Sequence, residues 1–369
     1  MRFVERFLPV AVPALVALGS AALSVFAGTG SAAIASPTAA AASSKAPPPR
    51  LSDTGLYVKG APEQVHPDNL EFSPRYPLWS DGATKRRWLN LPPGTYIDAS
   101  NPDAWEFPAG TRLWKEFSDE GRRIETRLIQ RQADGSWTYA TYIWDADGAD
   151  ATLAPNNGIV LATARAPGVG YVVPSRGDCL ACHEGAAVPV LGASAFQLAP
   201  DQPSKAPIEA AHHPSAVNLR SLVERGLVRN LPASLLARAP QVYATSPLEQ
   251  AALGYLHGNC GHCHNHDGAP AAVPLVLAQA AGSPEESRRR VLESAVGARS
   301  RFRPPGASGQ VYVIVAGRPE ASVLNWRMQS RHPLGQMPPL GTLVPDPDGI
   351  SLIERWISTE LKPRKETTR

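Results

Sequence analysis

The chain has 369 residues, enough for two or three domains at about 150 residues each. With 36 Lys and Arg against 33 Asp and Glu, its formal net charge is only +3, which gives no case for nucleic-acid binding. An apolar fraction of 43% is ordinary for a globular protein, and 37 prolines imply many turns and connections.

Residues 1–35 read as an export signal. Arg2 and Arg6 precede an apolar run through Ala27, and Ala33-Ile34-Ala35 offers an A-x-A cleavage site. The run is longer than the usual signal core of ~7–15 residues, so an uncleaved membrane anchor is the alternative. No other apolar run is long enough to span a bilayer. The expected location is periplasmic or secreted, with no stable membrane insertion after cleavage. Residues 36–50, "SPTAAAASSKAPPPR", read as a disordered linker.

From 51 to 175 the chain lacks cysteine and is rich in aromatics. The runs 112–117, 122–132, 136–145 and 171–174 alternate with period two. In "TYATYIW", Tyr139, Thr141 and Ile143 share one face and Ala140, Tyr142 and Trp144 the other. Turn signals at "PPG" (92–94), "PAG" (108–110), "DEG" (119–121) and "ADG" (133–135) separate them, as in an antiparallel β-sandwich or meander. The charges Asp81, Lys85, Arg86, Arg87, Glu125 and Arg127 read first as the solvent face of that sheet. A cleft for a glycan or protein partner, or a haem-propionate contact, is the sharper alternative.

Residues 176–243 mix loops with short helices: 214–226, stopped by Gly226, and 232–239. In 244–362, "SPLEQAALGYLHGNC" opens with Ser246 as N-cap, Pro247 at the first helical position and Glu249 completing a capping box. A surface helix is expected at 282–296. A closing helix at 348–361 has Asp348 as cap and Ile350, Ile353, Trp356, Ile357 and Leu361 on one face. Residues 363–369 form a tail.

All four cysteines fall in one pattern, "CLACH" at Cys179, Cys182 and His183 and "CGHCH" at Cys260, Cys263 and His264. C-x-x-C-H is the signature of covalent c-type haem attachment. Two thiols at this spacing reach one side of a macrocycle, and the following histidine can ligate iron. A shared zinc site is the alternative, but the pairs lie much farther apart than the ~15–20 residues of compact zinc ribbons. Thiol redox chemistry is less supported still, because no βαβ pattern surrounds either pair. The expected cofactors are two haem c groups, with His183 and His264 as proximal iron ligands.

Met337, in the stiff "GQMPPLG" loop, is the expected sixth ligand of the second haem, whereas Met328 reads as core packing. The first haem has no such methionine. His212, His213, His257 or an open position are its alternatives. His262 and His266 read as solvated or structural, as does His257 unless it contacts a propionate.

With these motifs, residues 244–362 resemble a class I cytochrome c domain: a capped first helix ending in C-x-x-C-H, a late "MPP" loop and a closing helix. That resemblance implies a small–aromatic helix crossing, matched by Gly254 with Tyr255 and by Trp356. Residues 76–95 ("YPLWSDGATKRRWLNLPPGT"), 105–117 and 124–131 resemble an uncharacterised family of secreted proteins with the same two motifs, a likeness that carries no activity.

The expected architecture is multidomain: an antiparallel β-sandwich-like domain followed by mostly α, cytochrome c-like haem domains. The expected function is electron transfer with periplasmic redox partners. The alternative is a dihaem redox enzyme, peroxidase- or oxidase-like, with the first haem as reaction centre.

Overall fold

The computed structural model describes residues 46–162, 170–199, 216–266 and 273–362. The expected signal segment, most of the linker, His212, His213 and the tail lie outside the described residues.

In chain order, the strands are β1 (Tyr57–Val58), β2 (Ala61–Val65), β3 (Leu70–Glu71), β4 (Thr84–Asn90), β5 (Ile97–Asp98), β6 (Arg112–Asp119), β7 (Arg122–Arg131), β8 (Trp137–Trp144), β9 (Ala151–Leu153), β10 (Ile159–Leu161), β11 (Tyr171–Val173) and β12 (Val228–Arg229). The helices are α1 (Arg176–His183), α2 (Leu219–Glu224), α3 (Ala233–Ala237), α4 (Pro247–Asn259), α5 (Pro284–Ala295), α6 (Val323–Gln329) and α7 (Pro347–Thr359).

The main sheet is a six-stranded antiparallel meander in the order β3-β4-β6-β7-β8-β9. Its alternation follows from the sequence period. One face presents the paired row Trp88, Trp114, Leu128 and Ala140, joined by Tyr142 and Trp144 under the N-terminal strands. The other presents Leu89, Leu113, Ile129 and Tyr139 to the helices. The turn glycines Gly94, Gly110, Gly121 and Gly135 all take positive φ, a conformation open to glycine without steric cost.

The expectation of mostly α haem domains is corrected to a mixed α/β arrangement. One apolar cluster runs from Leu89, Ile129 and Tyr139 of the sheet to Leu253, Leu256, Ile353 and Trp356 of α4 and α7. Strand β12, in the segment expected to be loops and helices, pairs in parallel with β5. Residues 48–50, expected as linker, join the sheet edge instead. Leu153 N–H donates to Pro49 O at 3.0 Å, and Arg50 pairs with Asp145 at 2.6 Å and Asp150 at 3.0 Å.

Helix ends differ in informative ways. Ser246 caps α4 by accepting from Glu249 N–H at 3.0 Å, but the Glu249 carboxylate turns away from the expected capping box. It accepts from Thr245 N–H at 2.6 Å and binds Arg288 of α5 at 2.8 and 2.9 Å. Helix α7 has its cap two residues earlier than expected: Asp346, not Asp348, accepts from Gly349 N–H at 3.0 Å. Helix α2 is shorter than expected because Val217 bridges to Phe72 and Asn218 caps the helix.

The α4–α7 contact keeps the expected Tyr255 but takes its small residue from α7. A Cβ at Gly349 of α7 would overlap the Tyr255 ring of α4, whereas the space at Gly254 is filled by Tyr76, from the loop ahead of β4. Trp356 is fully buried in the core.

Candidate functional site

Helix α1 carries the first C-x-x-C-H. Ser175 and Asp178 form a reciprocal capping box at its N-terminus, so the helix starts at a defined residue and ends on His183. The His183 ring packs on Tyr139 of β8, with centroids 5.4 Å apart. Its Nδ1–H donates to Pro189 O at 2.6 Å, which fixes the tautomer and leaves Nε2 unprotonated. Burial pushes His183 down to about 4, so the ring is neutral at pH 7.

The second motif follows directly on α4. His264 Nδ1 is buried and has no hydrogen-bond partner among the described residues. Helix α4 owes its exact placement to the loop at 76–81. Trp79 N–H donates to Asn259 Oδ1 at 2.7 Å, and Asn259 Nδ2 donates to Pro77 O at 3.2 Å. Asn259 is the residue before Cys260, so this loop sets where the first thiol sits.

The same loop holds the segment after Met337. The Asp81 carboxylate accepts from Leu343 N–H at 2.9 Å, from Val344 N–H at 3.0 Å and from the Thr342 hydroxyl. Trp79 Nε1 donates to Val344 O at 2.9 Å. On the other side of the loop, Met337 N–H donates to Arg327 O at 2.9 Å. The half-buried Met337 therefore stands on a segment braced from both sides, while Met328 is buried on α6.

The two motifs, far apart in sequence, meet. Asn265 Nδ2 donates to Gly185 O at 2.9 Å, just beyond the first motif, and to Gly261 O at 2.9 Å within the second. A Cβ on Gly185 would stand 3.1 Å from His262 O. Both motifs line one cavity of about 840 Å³, which Met337, Met328 and His257 also reach. That volume lies at the upper end of ordinary ligand pockets, about 300–1,000 Å³.

The thiols are not bonded to one another. Burial raises all four, Cys260 to about 12, so they are protonated and poor nucleophiles at neutral pH. Among the described residues, no three His, Cys, Asp or Glu side chains converge as a metal-ion cage.

The structure gives two of the histidines structural contacts. His257 Nδ1 accepts from Gln279 N–H at 3.0 Å, so the neutral ring carries its proton on Nε2 and is arranged as a donor rather than an iron ligand. It packs edge-on against Tyr76 and Phe196. His262, read as solvated or structural, lines the cavity between the motifs; burial, with His264 and Lys115 nearby, lowers it to about 4. His266 is exposed beside Arg290, as expected.

The charged face of the sheet is also not a solvent face. Arg86 points out to Glu71, but Arg87 and Arg127 turn toward the cavity and Glu125 is fully buried. The bracing by Tyr76–Asp81 and the Asn265 seam had no local signal in the sequence, because both depend on partners more than 75 residues away.

No family model, curated protein or solved structure matches this chain.

Proposed function

We propose that this chain is an exported dihaem c-type cytochrome that passes electrons between periplasmic redox partners. The observation that carries the reading is that both C-x-x-C-H segments open into one cavity and are tied directly through Asn265. The donor set fits the group: four thiols free of disulfides, His183 with Nε2 left open by the Pro189 contact, and His264 with a buried nitrogen that has no partner among the described residues.

Covalently bound haem would supply one-electron iron chemistry, with potentials set by axial ligands and surroundings. Cys179 and Cys182 would anchor the first group with His183 as ligand; Cys260 and Cys263 would anchor the second with His264 and Met337. Tyr139 and Pro189 orient His183, and the 76–81 loop fixes the spacing between the second motif and Met337. The Asn265 seam keeps the two motifs adjacent, the condition for transfer between two centres.

Pyridine haemochrome quantification on protein made with a haem-attachment system tests the reading. Two covalent haems per chain are expected, and one in a Cys260→Ser/Cys263→Ser variant; fewer than two in the wild type overturns it. Carbon monoxide added to the reduced protein separates the carrier from a dihaem redox enzyme. Two low-spin haems indifferent to it support the carrier, and binding at the first haem supports the enzyme.

A further inference from the structure

His262 sits between the two thiols of the second motif, yet its surroundings belong largely to the first. A Cβ on Gly185, two residues past His183, would stand 3.1 Å from His262 O, so the backbone at 262 lies against the end of the first motif. The residue is partly buried and lines the shared cavity with Cys179, Cys182 and His183. Lys115 stands within electrostatic range of His262, of Cys182 and of His183. His262 and His183 are also within that range of each other.

The His262 ring makes no hydrogen bond with any described residue. An imidazole carries a donor and an acceptor nitrogen, and leaving them unmade away from water is costly. Neighbouring histidines are engaged: His183 Nδ1 by Pro189 O, His257 Nδ1 by Gln279 N–H, and His266 by Arg290. Two axial ligands of a haem approach from opposite faces of a flat ring. Tyr139 of the sheet supports the His183 ring, and Lys115 shares that sheet face, since it pairs with Arg127 and Arg127 pairs with Thr141. The sheet thus backs the side of His183. The second motif forms another wall of the same cavity, held at Gly185 by Asn265 at 2.9 Å. Met328 falls to the second centre, because its neighbour on α6, Arg327, stands within electrostatic range of His264.

We propose that His262 is the sixth ligand of the haem held by Cys179, Cys182 and His183, so that the second motif closes the first centre. This rests on the dihaem reading and goes beyond it by giving the first haem two histidine ligands. A neutral imidazole ligates without losing a proton, whereas the ammonium of Lys115 must first give one up. One motif then serves both irons, His264 its own and His262 its neighbour's. The first haem keeps no open position, which favours the carrier over the dihaem enzyme.

The test uses the dihaem protein, with covalent haem counted first in each variant. Near-infrared magnetic circular dichroism of the ferric form separates bis-histidine from histidine–methionine ligation. The wild type should show one haem of each kind. In His262→Ala the bis-histidine signal should be lost, and the reduced protein should bind carbon monoxide at one haem per chain, against none in the wild type. Added imidazole should restore the low-spin signal, a rescue that a merely structural role would not give. His262→Met should keep both haems six-coordinate and replace the bis-histidine signal by a second histidine–methionine one. Methionine raises the potential, so the ferrous-to-ferric ratio of that haem should rise about tenfold or more at fixed ambient potential, ~59 mV for a one-electron couple.

A dihaem wild type without a bis-histidine signal overturns the assignment of His262 and leaves the dihaem reading in place. So does a bis-histidine signal that survives His262→Ala, or one that is lost in His212→Ala/His213→Ala. Fewer than two haems in the wild type overturns the dihaem reading and the ligand with it.

Discussion

Replacing Asp81 by alanine should release the segment that carries Met337 while leaving the sheet intact. The Asp81 carboxylate accepts from two backbone amides, Leu343 and Val344, and from the Thr342 hydroxyl. A hydrogen bond to a charged acceptor contributes about 1.5–3 kcal/mol, but three sharing one carboxylate are not additive. An opened loop also regains water, so the net loss is about 3 kcal/mol. Asp81 further adopts φ 53°, a left-handed conformation that aspartate tolerates and alanine resists by about 1 kcal/mol. At 1.4 kcal/mol per tenfold, ~4 kcal/mol raises the local opening equilibrium by roughly three orders of magnitude. The opening is local, because the core of the sheet does not depend on this loop. Amide hydrogen exchange reads it directly: Leu343 and Val344 should exchange at least ~100-fold faster, with Trp114 and Leu128 unchanged. Asp81→Asn, which keeps one acceptor oxygen and tolerates the same φ, should fall between. In haem-loaded protein the sulfur-to-iron charge-transfer band should weaken in the same order. If Leu343 and Val344 in Asp81→Ala exchange at the wild-type rate, the bracing role of this loop is refuted.

Met337→Ala should abolish the charge-transfer band and open the second haem to carbon monoxide, while Met328→Leu leaves both unchanged and costs under ~1.5 kcal/mol in a urea melt. Glu249→Gln should destabilise by about 2–3 kcal/mol at pH 7, since it removes the charge that holds Arg288 across two helices. Burial pushes the Glu249 carboxyl up, but Arg288 and Thr245 together leave it below the ordinary value of 4.5. Its contribution is therefore complete above that value and lost as pH falls through the lower folded-state value, so the gap between wild type and variant should close in melts at acid pH. Gly254→Ala should cost about 1–2 kcal/mol, as overlap with the Tyr76 ring exceeds the gain in helix propensity. In a Tyr76→Ala background the same substitution should become neutral or stabilising, because the overlap is gone.

Short-range physics made much of this fold legible in the sequence. The period-two faces of β8 and the positive-φ glycines between strands follow from residue order alone, as do Ser246 and Pro247 at the start of α4. What escaped is what depends on partners distant in the chain. Tyr76 fills the space at Gly254, Asp81 reaches Val344, and Glu249 binds Arg288 in place of its own cap. The charges at 87 and 127 read as solvated because an inward-facing cation leaves the same period-two trace as an outward one. Only the cavity opposite distinguishes them.

The contact between Asn265 and Gly185 spans 80 residues of chain, and it constrains the order in which this protein is built. The first motif leaves the ribosome well before its cover exists. Once the seam has shut, the cysteines at 179 and 182 line the cavity between the motifs. On the dihaem reading proposed above, attachment to those sulfurs would come most readily while the chain is still open, and the seam would then set its deadline.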